Sequence, residues 1–275
     1  MTTIALIGAG GKMGYRLSSN LQRSDYTVSH VELSDAGRQR LSEGLGISCV
    51  DAHQAIPDAQ VVILAVPDTL VGRVAEELSP LMASGTMVIT LDAAAPFAGH
   101  LPNRDDLVYF VTHPCHPPIF NDETDLDAKR DYFGGAKAKQ HIVNALMQGP
   151  EELYALGEAI AKTIYAPVVR SHRVSVEQMA LLEPGLSETV CATLLVVMRE
   201  AMDEVVARGV DQECARDFLL GHMNILAAVI FEEQPGVFSD ACNKAIENGK
   251  PQLMRDDWKR VFEPEEIAES IRRIT

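Results

Sequence analysis

The chain opens on an unbroken apolar run, Ile4-Ala5-Leu6-Ile7, that ends in glycine, and apolar runs of strand length then alternate with longer stretches of helical periodicity. A run without polar alternation suits a strand buried on both faces, as at the centre of a parallel sheet. The spacing predicts a helix over 13–22, a strand at 27–33, a helix over 35–44 and a strongly apolar strand at 61–66. After Pro67-Asp68 it predicts a helix to about Met82, then strands at 86–91 and 107–112. Residues 119–135 are polar and glycine-containing and read as a loop, while 141–147, 151–164 and 166–170 read as strand, helix and strand. Strands alternating with helices imply right-handed crossovers and a doubly wound parallel sheet. The expected class is therefore α/β, with an N-terminal Rossmann domain over residues 1–170 and an all-helical C-terminal domain over 171–275. Within the latter, residues 190–206 and 218–231 are apolar on nearly every face. Such helices must be covered by other helices, and a second copy of the chain is the expected cover, giving a homodimer.

Composition narrows the function classes. With 275 residues, 47% of them hydrophobic and 23% charged, the chain can bury a substantial core. A formal charge of −15 disfavours nucleic acid and anionic membrane as partners and favours a small molecule. An anionic substrate would need a local positive pocket. The cysteines at 49, 115, 191, 214 and 242 are scattered, odd in number and without a Cys-x-x-Cys pair, which points to a reducing compartment, the cytoplasm. No signal-type segment opens the chain, and no apolar run is expected to reach the ~20 residues that span a bilayer.

Against that background the run Gly8-Ala9-Gly10-Gly11-Lys12-Met13-Gly14 stands out, because it follows a strand and opens a helix. Gly8 suits the tight turn, Gly10 or Gly11 the close approach of a pyrophosphate, and Gly14 the contact of helix with strand. Free N–H groups of the first helical turn, at Lys12 and Met13, would face the phosphates. Glu32, at the end of the second strand, is placed to bind the ribose hydroxyls. A 2′-phosphate would be repelled there, and Ser34-Asp35 follow rather than an arginine, so NAD is expected over NADP. Val66 and Pro67 end the strand 61–66 where the nicotinamide half lies, and Asp68 reads as a cap for the next helix.

Ligands of open α/β sheets sit beyond the carboxyl ends of the strands. Thr112-His113-Pro114-Cys115-His116-Pro117-Pro118 follows such a strand, and its prolines would hold two imidazoles in a rigid loop, His116 being favoured over His113. Glu183-Pro184-Gly185-Leu186-Ser187-Glu188-Thr189 begins the most apolar helix, with Glu183 at the proline break and Glu188 on the stripe of Cys191, Leu195, Met198 and Met202. A carboxylate on a buried stripe needs a partner such as a cation. His116 with Glu183 would make a mixed imidazole and carboxylate site for a divalent ion, zinc, manganese or magnesium.

Taken along its length, with the glycine run, the Ala65-Val66-Pro67-Asp68 strand end and the helical second half, the chain resembles the 6-phosphogluconate and β-hydroxyacid dehydrogenase superfamily. Members carry a lysine four residues before an asparagine on the first helix of the C-terminal domain. The comparable region here holds Glu183 and Ser187 with no lysine near, so a carboxylate-bound metal would take over the electrophilic role. The T-H-P-C-H-P-P loop and the L-E-P-G-L-S-E-T helix are similar to those of the D-apionate oxidoisomerase group within that superfamily. The resemblance implies an NAD-dependent oxidation of a small sugar acid, D-apionate, with rearrangement to 3-oxoisoapionate. It also implies His116 and Glu183 on the metal, Glu188 or His113 on the hydroxyl proton, and Arg170, Arg173, Lys250 or Arg255 on the substrate carboxylate. A metal-free NAD-dependent hydroxyacid or prephenate-type dehydrogenase and an NAD-binding sensor without turnover are the alternatives.

Overall fold

A computed structural model describes all residues from Met1 to Thr275. Its first elements are β1 (Thr3–Ile7), α1 (Lys12–Leu21), β2 (Thr27–Val31), α2 (Asp35–Leu45), α3 (Ala52–Ala55), β3 (Val61–Leu64), α4 (Asp68–Leu78), β4 (Met87–Thr90) and α5 (Ala94–Phe97). There follow β5 (Val108–Pro114), α6 (Leu126–Arg130), β6 (Gln140–Gln148), α7 (Tyr154–Ile164), β7 (Val168–Arg173) and α8 (Val176–Ala180). A π-helical run, Leu181–Ala192, leads into α9 (Thr193–Ala207), α10 (Gln212–Ile230), α11 (Asp240–Leu253) and α12 (Pro264–Ile274).

The seven strands form one sheet in the order β2-β1-β3-β4-β5-β6-β7. Helices cover both faces: Leu6, Leu17, Ile63 and Phe110 anchor one core layer, Val62, Leu64, Val71 and Tyr109 the other. Every neighbouring pair is parallel except β5 and β6, which run antiparallel. The wholly parallel sheet expected from the alternation is corrected there, and the connection explains why. A parallel crossover needs a covering helix, but between β5 and β6 the chain offers only the five-residue α6 in a polar stretch.

Two compact units emerge, Met1–Glu183 with Ala268–Thr275, and Pro184–Ile267. The first runs past the 170/171 boundary because α8 stays with the sheet. Its Val176 and Met179 bury against Ala93, Val111, Val143 and Ala145.

The second unit departs from expectation in its burial. No residue of α9 is buried, and Ala215 is the one buried residue of α10. The apolar stripes read as core are open to solvent within a single chain: Val196 is 56% and Phe218 67% exposed. One helical segment, Val176–Ala207, is also long and apolar enough by length and composition to cross a membrane, contrary to the expectation that no segment is. Its helix is interrupted at Glu183, whose backbone is extended at φ −143° and ψ 118°.

Candidate active site

The glycine run forms the turn between β1 and α1, and its glycines differ in what each permits. Gly8 has φ +77°, a conformation open to glycine. A Cβ on Gly14 would stand 2.0 Å from the Gly8 carbonyl oxygen, so α1 can approach β1 only without one. The N-terminus of α1 is left with Gly11 as its cap residue and no side chain bonded across it, which leaves its amides for an anion. Glu32 follows β2 directly, and its carboxylate accepts the Gly10 N–H at 2.8 Å and the Ser34 N–H and hydroxyl at 2.8 and 2.9 Å. Burial alone would raise the Glu32 pKa, but those bonds outweigh it and hold the carboxyl below its ordinary value. Val66 packs against the Gly8 turn, and Pro67 caps α4 with no side-chain bond. Asp68, read as that cap, stands instead in the first turn of α4. Burial pushes its pKa up, with His113 and Glu183 acting on it through their charges.

At the carboxyl ends of β4 and β5 the structure brings together Asp92, His113 and Glu183, one ligand atom of each lying within 4.8 Å of the others. His113 Nδ1 lies 2.8 Å from the Leu91 carbonyl oxygen. A carbonyl only accepts, so Nδ1 carries the proton and a neutral ring has its lone pair on Nε2. That Nε2 is buried and sits 2.5 Å from Glu183 Oε2. An N···O distance of 2.5 Å leaves room for a proton and not for an ion, so His113 stands as an imidazolium paired with the Glu183 carboxylate. Burial, the largest influence on His113, lowers its pKa, but Glu183 and Asp92 together raise it above the ordinary value. Burial likewise pushes Glu183 up, and the two imidazoles, His113 first, bring it below. Asp92 goes the other way, its carboxyl raised because burial prevails over the Ala94 N–H and His113.

His116, expected to share an ion with Glu183, is not part of that group. Its backbone is left-handed at φ +60°, and Nδ1 donates to the Phe133 carbonyl at 2.8 Å, which puts the lone pair of the neutral ring on Nε2. The ring still stands edge-on to His113, with centroids 6.0 Å apart. Glu188 lies in the second unit and is exposed, so the burial argument that singled it out does not hold within one chain.

Two residues escaped the sequence reading. Asp92 ends the strand predicted at 86–91, and the strand-end rule applied to His113 would have found it. Phe133 lies in the stretch read as loop. Its ring has the Lys12 ammonium at 4.6 Å, the Arg16 guanidinium at 4.5 Å and the His116 ring at 5.0 Å, tying the start of α1 to the histidine loop. Asp131 holds that loop, its carboxylate accepting the N–H groups of Gly134, Ala136, Lys137 and Ala138.

Comparison with known proteins shows the family. The family profile of the NAD binding domain of 6-phosphogluconate dehydrogenase matches residues 3–97, and that of the phosphogluconate dehydrogenase (decarboxylating) C-terminal domain matches 121–275. The D-apionate oxidoisomerase of Rhizobium rhizogenes is 72% identical over 100% of both chains. That of Cupriavidus necator is 71% identical over 99% of both. A crystal structure of a semialdehyde dehydrogenase NAD-binding protein from Cupriavidus necator, in complex with calcium and NAD, is 70% identical, covers 100% of both chains and superposes with a TM-score of 0.99.

Proposed function

Because this chain belongs to the D-apionate oxidoisomerases of the 6-phosphogluconate dehydrogenase family, we propose that it oxidises D-apionate with NAD and rearranges the product to 3-oxoisoapionate. The observation that carries the reading is the close approach of His113 Nε2 and Glu183 Oε2, with Asp92 beside them at the strand ends that face an NAD turn. Two carboxylates and an imidazole with ligand atoms within 4.8 Å of one another make a donor set that would hold a divalent ion in place of the His113 proton, and that set admits zinc, manganese or magnesium. The 70% identical structure holds calcium. Bound NAD supplies a hydride acceptor, and a divalent ion on Asp92, His113 and Glu183 supplies a Lewis acid for the ketone and the alkoxide beside it.

The chain's own residues do the rest. Glu32 and the first turn of α1 orient the dinucleotide, so that C2 of the substrate gives up its hydrogen with both electrons. His116 Nε2 takes the proton of the C2 hydroxyl. When the C3 hydroxyl releases its proton to solvent, the hydroxymethyl carbon moves with its bonding pair from C3 to C2, so C3 becomes the ketone and His116 returns its proton to the C2 oxygen. Phe133 fixes the tautomer that leaves Nε2 free, and the prolines flanking His116 keep the ring in place.

A homodimer closed over α9 and α10 is part of the proposal, supported by their exposed apolar side chains. So is a cytoplasmic location, which five unpaired cysteines fit. The test is product analysis with D-apionate and NAD, before and after exhaustive chelation. The expected result is 3-oxoisoapionate with one NADH per turnover, abolished by chelation and restored by a divalent ion. An unrearranged keto acid formed at an undiminished rate after chelation would overturn it in favour of a metal-free dehydrogenase, and NAD binding without turnover would point to a sensor.

A further inference from the structure

A substrate carboxylate entering a chain of net charge −15 needs a cation of its own, and strand register identifies one. His113 pairs with Val143, Val143 with His172, and His141 with Arg170. Paired residues share a face of a sheet, as do alternate residues along a strand. His113, His141, Arg170 and His172 therefore line one face, the latter three on β6 and β7 beside the carboxyl end of β5. Arg170 Nη2 lies 3.1 Å from His141 Nε2. A guanidinium has donors and no acceptor, so Nε2 must accept and the His141 proton must be on Nδ1. That Nδ1 is buried and has no partner. His172 packs edge-on against His141 with centroids 6.2 Å apart. Arg170 is bound to no carboxylate, whereas the nearby Arg173 is already held by Glu151 and lies 4.2 Å from the Tyr154 ring centroid.

We infer that Arg170, with His141 and His172, is the anchor for the carboxylate of the substrate, an anion subsite two strands away from the Asp92, His113 and Glu183 centre. The inference rests on the proposed function for the identity of that substrate. Adjacent strands lie about 4.8 Å apart, and the Arg170 guanidinium is already over β6, at His141, between its own strand and that of His113. A carboxylate takes two parallel bonds from a guanidinium fork, and His141, by accepting from Nη2, holds that fork in place. Arg173, Lys250 and Arg255 are then not needed for recognition.

Two measurements on the NAD-loaded protein test this. In steady-state kinetics Arg170→Gln should raise the KM for D-apionate roughly 10- to 100-fold, as loss of a charge-assisted bond predicts. It should change kcat and NAD affinity less than threefold, and Arg170→Lys should recover part of the loss. The amide of D-apionate, which lacks the charge, should bind wild type and Arg170→Gln alike. A KM unchanged in Arg170→Gln while wild type turns over D-apionate would overturn the subsite and leave the function standing. If wild type does not turn over D-apionate, that function fails, and the subsite is judged by nitrogen-15 histidine NMR with D-glycerate, a plain 2-hydroxy acid. A shift at His141 Nδ1 in wild type that is lost in Arg170→Gln supports it, and no shift in wild type overturns it.

Discussion

His113 cannot be an ordinary neutral imidazole with both neighbours as they stand, since the Leu91 carbonyl fixes its proton on Nδ1 and Glu183 faces the other nitrogen. Removing the charge of Glu183 while keeping its shape should therefore uncouple chemistry from cofactor binding. Glu183→Gln is expected to lower kcat roughly 10²–10³-fold, to lose the affinity for calcium read by calorimetry, and to leave the NAD Kd unchanged. Calcium bound as tightly by the variant would place the ion elsewhere. Glu32 makes a contrasting prediction. It accepts one bond from the glycine turn, at Gly10, and two from Ser34, and a bond to a charged group is worth about 1.5–3 kcal/mol. Glu32→Ser should raise the NAD Kd roughly 10- to 100-fold. It should also admit NADP, because Arg38 Nε already lies 2.7 Å from the Glu32 carbonyl and has no carboxylate partner; fluorescence titration with both nucleotides checks this. At this scale the sequence was readable wherever a motif has fixed spacing, as for Gly8, Gly14 and Glu32. Asp92 was within reach of the same strand-end rule that picked out His113, whereas Phe133 was unreadable, because its role arises from chain segments that meet only in the fold.

Among the elements, the break before α9 decides where Glu183 points. A proline excludes the helical region for the residue before it, and Glu183 is accordingly extended between α8 and the π-helical run. Pro184→Ala removes that restriction, so the helix can run through position 183 and carry the carboxylate away from His113. Turnover is expected to fall at least tenfold, with a melting temperature close to that of wild type, since proline at the start of a helical run carries little cost. Unchanged turnover in a well-folded variant would mean that the extended conformation of Glu183 has another cause. Pro184 was visible in the sequence as a helix break, and its consequence followed from one residue's sterics. The antiparallel β6 was not, because 141–147 carries the same apolar run in either direction. Only the loop before it, too poor in helix to make a crossover, distinguishes the two.

For the molecule as a whole, the helices that the pattern marked as needing cover are exposed to solvent within a single chain. Leu195, Val196, Phe218, Ile225, Ile230 and Phe231 are all exposed, and Phe231 reaches 69%. Periodicity marks an apolar face without saying which chain will meet it, and the homodimer expected from the sequence is one source of cover for these faces. Burying apolar surface is worth about 25 cal/mol per Å², so an interface of roughly 1,600 Å² in total, of ordinary size for a stable complex, gives a strong drive to associate. Light scattering at micromolar concentration should return twice the chain mass. Phe218→Glu combined with Val196→Glu should shift the protein to monomer, since two carboxylates would have to be desolvated in each interface half. Sheet-borne NAD binding should survive in that double variant, because Glu32 and the glycine turn belong to the other compact unit. A wild-type monomer, or a wild type that floats with phosphatidylcholine vesicles instead of dimerising, would transfer the same apolar faces to a different partner and end the dimer reading.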